Sequence, residues 1–93
     1  MIVLYLTLTL HAPWSRSLKD KRSISRSIIA RLRASYNASV CEVAAQDKHQ
    51  LIELAVAALA FDHAQADSIA QNMADAVVGM TDAELIRVER EYR

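Results

Sequence analysis

Four leucines at every second position constrain this chain more than any other feature. Leu4, Leu6, Leu8 and Leu10 alternate with Val3, Tyr5, Thr7 and Thr9, and a two-residue period puts alternate side chains on opposite faces of a strand. Residues 2–10 are therefore expected to form a half-buried strand. A strand with one apolar face needs both a sheet and a covering layer, which the rest of the chain must supply. The segment is too short to span a bilayer. It lacks a basic leader and a small-residue cleavage site, so it reads as a strand and not as a signal peptide.

The elements that follow supply those layers. Pro13 stops the strand, and Ser17 with Asp20 three residues later forms a capping box, so a helix is expected from about Leu18. Ile24, Ile28, Ile29, Leu32 and Tyr36 recur at helical spacing, and Asn37 ends the helix. Residues 39–45 and 50–61 are two apolar runs joined by Gln46, Asp47, Lys48 and His49, which reads as a hairpin. The alanines of residues 55–60 taken alone would also suit a helix. Asp62 and Gln65 make a second capping box ahead of Ala66, Ile69, Ala70, Met73 and Val77, with Gly79 expected as the C-terminal stop. Residues 83–92 alternate once more and read as a last strand.

The order strand, helix, strand, strand, helix, strand predicts an α+β fold. It is the ferredoxin-like βαββαβ sandwich, with a four-stranded antiparallel sheet and two helices on one face. Residues 1–93 are expected to make one domain. The first and third strands would be central, and the open face would present Val3, Tyr5, Leu51 and Ala55. Such a patch favours a homodimer through the open sheet face.

Charge is the second informative feature. Hydrophobic residues make up 53% of the chain with one Gly and one Pro, which excludes disorder, and the formal net charge is zero. The charges are nevertheless separated. Residues 1–36 carry seven basic side chains against Asp20 alone (7 − 1 = +6), and residues 37–93 carry four basic against ten acidic (4 − 10 = −6). On a helical wheel with Ile24 at the origin, Arg22, Arg33, Arg26 and Lys19 fall at about 160°, 180°, 200° and 220°, beside the apolar face. A row of this kind can track a phosphate backbone. The loop of Ser15, Arg16 and Ser17 leads into a helix N-terminus, where free N–H groups favour an anion. Arg16, Lys19, Lys21, Arg22, Arg26 and Arg33 are therefore the candidate RNA- or anion-binding residues. The competing reading is a solvated helix face that pairs with the acidic half. RNA-recognition domains of this fold stack bases on sheet aromatics. Tyr5 is the one aromatic expected on the open face, so contact is expected with RNA backbone and not with bases.

The signals for catalysis are weak. His11, His49 and His63 have no i, i+4 relation and no neighbouring Cys pair, so no metal site is expected. With a single glycine there is no Gly-rich phosphate loop. Cys41 is alone, which forbids an internal disulfide and suits a reducing cytoplasm, and its place in a strand suggests the core. Asp47 and His49 form either an acid–base pair or an ordinary surface turn. Glu89, Arg90 and Glu91 read as edge-strand charges that discourage aggregation. Trp14 either covers the helix end or is an exposed contact. The expectation is a protein that is not an enzyme and needs no cofactor.

Residues 16–22 (RSLKDKR), the hairpin residues Glu42, Val43, Gln46, Asp47 and Gln50, and residues 88–91 (VERE) together resemble the YlxP-like family of bacterial proteins, a domain of unknown function. The resemblance covers essentially the whole chain, and its most specific piece is RSLKDKR directly after a first strand. It implies a ferredoxin-like fold. Genes of that family often lie beside those for a translation initiation factor and ribosome-binding factor A, which implies a role near ribosome assembly or translation. It implies no catalytic residues. Pro13, Trp14 and Ser15 stand where the family usually has Pro-Gly and a small residue, and His49 stands where it has an aromatic.

Three functions follow as expectations. The first is a non-enzymatic accessory protein contacting ribosomal RNA or a ribosomal subunit through the basic helix, in the cytoplasm and without a membrane. The second is a homo-oligomeric protein-interaction or small-ligand regulatory module. The third, a small hydrolase of acyl phosphates, borrows only the fold and lacks the glycine-rich anion loop.

Overall fold

The computed structural model describes residues 1–43 and 48–93. The elements are β1 (Ile2–His11), α1 (Leu18–Ser35), β2 (Ser39–Glu42), β3 (Leu51–Ala60), α2 (His63–Met80) and β4 (Glu84–Tyr92). The sheet order is β2-β3-β1-β4 and every pairing is antiparallel. This is the expected ferredoxin-like arrangement. The end of the first of the two apolar runs (Ala44, Ala45) and the loop residues Gln46 and Asp47 lie outside the described residues, as does the suggested Asp47–His49 pair.

The period of β1 decides which side faces the core. Leu4, Leu6, Leu8 and Leu10 are fully buried, while Val3, Tyr5 and Thr7 between them are half-buried. β3 pairs with β1 along its whole length, from Ile2 opposite Ala60 to His11 opposite Leu51. That long ladder overrides the helical preference of the alanines in β3, because tertiary pairing outweighs propensity differences of under ~1 kcal/mol per residue. Ile52, Leu54, Val56, Ala58 and Ala60 turn inward. Ile28 and Leu32 from α1, and Ala66, Ala70, Met73 and Val77 from α2, close the core against them.

Both helix starts form as the capping boxes predict. Ser17 Oγ accepts from the Asp20 N–H at 3.1 Å, and Asp62 Oδ1 accepts from the Gln65 N–H at 2.8 Å. The reciprocal arms reach one residue further back than the standard box. Asp20 Oδ2 accepts from the Arg16 N–H and Gln65 Oε1 from the Phe61 N–H. The helix ends differ from expectation. α1 is capped by Tyr36, and α2 runs through Gly79 to Met80 with Thr81 as its cap in an extended conformation. Gly79 is thus an interior helical residue. No left-handed turn is needed, because the chain leaves α2 directly towards β4.

β4 departs from strict alternation. Thr9 pairs with Arg87 but Leu10 pairs with Leu85, so Ile86 is an extra residue. The bulge lets Leu85 pack against the core while Val88 stays opposite Leu8 on the same face. An unbroken two-residue period would have put Leu85 on the open face.

Candidate functional site

The exposed face of α1 is the site the charge pattern singles out. The buried side of the helix is centred on Lys21, Ser25, Ile28 and Leu32, with Ile24 and Ile29 partly buried beside them. Lys19, Arg22 and Arg26 point to solvent on the other side. Among the described residues no carboxylate forms an ion pair with any of these three. Three cations one helical turn apart, without an internal counter-charge, make a short positive ridge.

The other three candidates are placed differently. Lys21 is a correction: it is only 4% exposed, and its Nζ lies 3.6 Å from Glu42 Oε2. Its position at about 60° on the wheel lies within the apolar arc, which is the physical reason it turns inward. Its ammonium needs a partner there, and β2 supplies one. Ser25 completes the group by donating to Glu42 Oε1 at 2.9 Å. The chemistry of Lys21 is internal. Arg33 leaves the ridge for the sheet, and its Nη2 donates to the Val40 carbonyl at 2.6 Å on the free edge of β2. Arg16 remains exposed just before the Ser17 cap.

The helix start is less open to an anion than its sequence implies. Ser17 already satisfies the Asp20 N–H, and the Asp20 carboxylate occupies the same end by accepting from Arg16. A free anion would have to compete with that carboxylate. Trp14 is 47% exposed, so much of its ring stays open to solvent. Ser15 is buried, with its N–H donating to the Ala12 carbonyl.

The open sheet face carries Val3, Tyr5, Leu51 and Ala55, as the period predicts, all half-buried. Its middle forms an open groove of about 440 Å³ lined by Tyr5, Cys41, Ala55 and Ala57, with Arg33 at its rim. Cys41 is exposed on this face rather than in the core, because Val40 takes the inward position of β2. Tyr5 is engaged by Arg93, whose guanidinium carbon lies 5.2 Å from the ring centroid.

A cluster with no sequence signal joins α2 to β4. The Tyr92 hydroxyl donates to Asp67, and Arg90 reaches Asp67 at 3.5 Å and Gln71 at 3.3 Å. His63 meets the Tyr92 ring edge-on at 4.9 Å. The hydrogen bond to the Asp67 carboxylate raises the Tyr92 pKa above 10.0. These partners are 25 residues apart in the chain, so no local spacing reveals them. His11 and His49 line another groove with Lys48 and Gln50. Among the described residues no three His, Cys, Asp or Glu side chains are grouped to hold a metal ion. Among the described residues no helix is long and apolar enough to cross a membrane.

The sequence matches a family model described as a protein of unknown function (DUF503) over residues 3–90. A search of the curated proteins finds no match. Among solved structures, the de novo designed protein Foldit4 is similar in fold. It superposes with a TM-score of 0.50 at 9% identity, covering 99% of this chain and 94% of that one. At that identity the likeness speaks for the architecture alone.

Proposed function

We infer that this chain, which belongs to the DUF503 family of proteins of unknown function, is a non-enzymatic accessory protein that holds structured RNA by its phosphate backbone. The observation that carries the reading is the ridge of Lys19, Arg22 and Arg26, exposed and without a described carboxylate partner. The YlxP-like character of residues 16–22 points to ribosomal RNA or a ribosomal subunit as the target, in the bacterial cytoplasm. Arg16 extends the ridge towards the loop, and Arg33, still exposed but turned to the β2 edge, is a subsidiary contact beside the ridge and not part of it. Lys21 takes no part. No cofactor is required, since a rigid cationic ridge binds by charge and shape.

Co-sedimentation with ribosomal subunits across a salt series tests this. Three phosphate contacts give a slope of log K against log salt of about −2 to −3. The K19E/R22E/R26E variant should lose association at all salt concentrations, while Lys21→Met should retain it. Absence of association at low salt, or association unchanged by the triple reversal, refutes the reading.

The groove on the open sheet face favours a second reading, a homo-oligomeric or small-ligand module that uses Tyr5, Ala55 and Ala57. Tyr5→Glu would abolish a function of that face and leave ridge-dependent binding intact.

A further inference from the structure

We propose that β4 is a self-complementary edge through which two copies of this chain join their sheets. The proposal is independent of the RNA reading and concerns the opposite side of the sheet. β4 ends the sheet order, so among the described residues one side of its backbone has no strand beside it. Val3 and Arg93 exchange both backbone hydrogen bonds, at 2.9 and 2.8 Å. In an antiparallel ladder bonded residues alternate with outward-turned ones. Val88, Arg90 and Tyr92 therefore turn their N–H and carbonyl groups away from β1. The edge is not wholly polar either: Val88 is 37% and Ile86 50% exposed.

The side chains decide which pairing such an edge allows. Two identical antiparallel strands meet about a two-fold axis, and residues directly opposite interact most strongly. An axis at Val88 sets Val88 against its own copy and Arg87 against Glu89 of the other strand, twice. An axis at Arg87 opposes Arg87 to itself, and one at Glu89 opposes Glu89 to itself. An axis at Arg90 opposes Arg90 to itself and Glu89 to Glu91. An axis at Tyr92 avoids like charges but overlaps only residues 91–93. An axis at Ile86 also avoids like charges, but it falls on the bulge and sets Arg87 against Leu85; the Val88 axis is the one that sets Arg87 against Glu89 on both sides. Arg87 and Glu89 already bond within one strand at 2.9 Å, so both lie on the same face, ready for a four-charge ring across the axis. The axis at Val88 stands perpendicular to the sheet, so both helix layers stay on one side of a continuous eight-stranded sheet.

Light scattering on size-exclusion fractions tests the register by charge exchange, with circular dichroism confirming that each variant is folded. The wild-type chain should be a dimer. Arg87→Glu sets a carboxylate opposite Glu89 of the other strand and should be monomeric. Glu89→Arg sets a second guanidinium opposite Arg87 and should be monomeric too. Mixing these two variants pairs opposite charges at every position and should restore a dimer, as should R87E/E89R on one chain. Val88→Pro removes the outward N–H at the axis while a sheet edge tolerates Pro, and should also give a folded monomer. A monomeric wild type overturns the proposal. So does a dimer that survives both single reversals, a mixture that stays monomeric, or a dimer abolished by Tyr5→Glu on the open face but not by R87E.

Discussion

Lys21 shows how burial redefines a charged residue. Its ammonium is almost fully withdrawn from water and depends on Glu42, whose side chain keeps 26% of its exposure and also accepts from Ser25. Removing one partner leaves the other worse off than replacing the buried charge with an apolar group. Glu42→Ala should therefore destabilise by about 1–3 kcal/mol, whereas Lys21→Met should change stability by less than about 1 kcal/mol. Urea unfolding followed by circular dichroism measures both, and equal losses would contradict the asymmetry. Gly79 makes a second point at this scale. A Cβ added there meets nothing within 4 Å, and the residue lies inside α2. Gly79→Ala should stabilise by up to about 0.5–1 kcal/mol, reduced by its place near the helix end. Thermal unfolding should show a midpoint raised by a few degrees.

At the scale of elements, β4 is held from two directions. Its backbone is bonded to β1, and its helix-facing side chains reach α2 through Arg90 and Tyr92. The raised pKa of Tyr92 makes that tie sensitive to alkali. Asp67 accepts a hydrogen bond from the hydroxyl and so opposes loss of its proton, which the folded chain binds more tightly than the unfolded chain. The stabilisation is complete below about pH 10 and fades as pH rises through the raised pKa. In an ultraviolet titration of the three tyrosines, one should ionise last. Tyr92→Phe should remove that component, and Asp67→Asn should bring it down towards the ordinary range. α1 relates to its neighbours in the opposite sense. Its inward polar residues meet β2, while its outward cations have no described acidic partner, so one helix serves the core and the solvent with charges of the same sign.

The whole molecule is polarised along its sheet. α1, with Lys19, Arg22 and Arg26 outward, lies against β2 at one side, and α2, with Asp67 and Asp75 and no Lys or Arg, lies against β4 at the other. A neutral chain with this separation has a directional field. Joining two copies through β4 would set the acidic helices near the axis and send the basic ridges to the two ends of one sheet. The ridges would then be about seven strand spacings apart, roughly 33 Å. On the RNA-binding proposal, two cationic ends on one body would suit a folded RNA better than an extended strand.

The topology is legible in the sequence because each element carries its own signal: the leucine period of β1, the capping boxes at Ser17 and Asp62, and the apolar runs around the hairpin. These signals are local, and the sheet order follows from them by the handedness of the crossovers. The ridge on α1 is legible for the same reason, since helical spacing sets which side chains are neighbours. What depends on contacts between distant segments is not. Lys21 counts among the exposed cations until Glu42 arrives from β2, and Arg33, although it stays exposed, counts with the ridge until its guanidinium meets the Val40 carbonyl. Gly79 looks like a stop because nothing local shows that α2 continues past it. The bulge at Ile86 and the Asp67–Tyr92 contact likewise exist only once β4 lies beside β1 and α2. Periodicity and composition alone determined that this chain is a ferredoxin-like sandwich with a basic first helix. Tertiary structure decided which of those cations reach solvent, because a charge turns inward only where another segment supplies its partner.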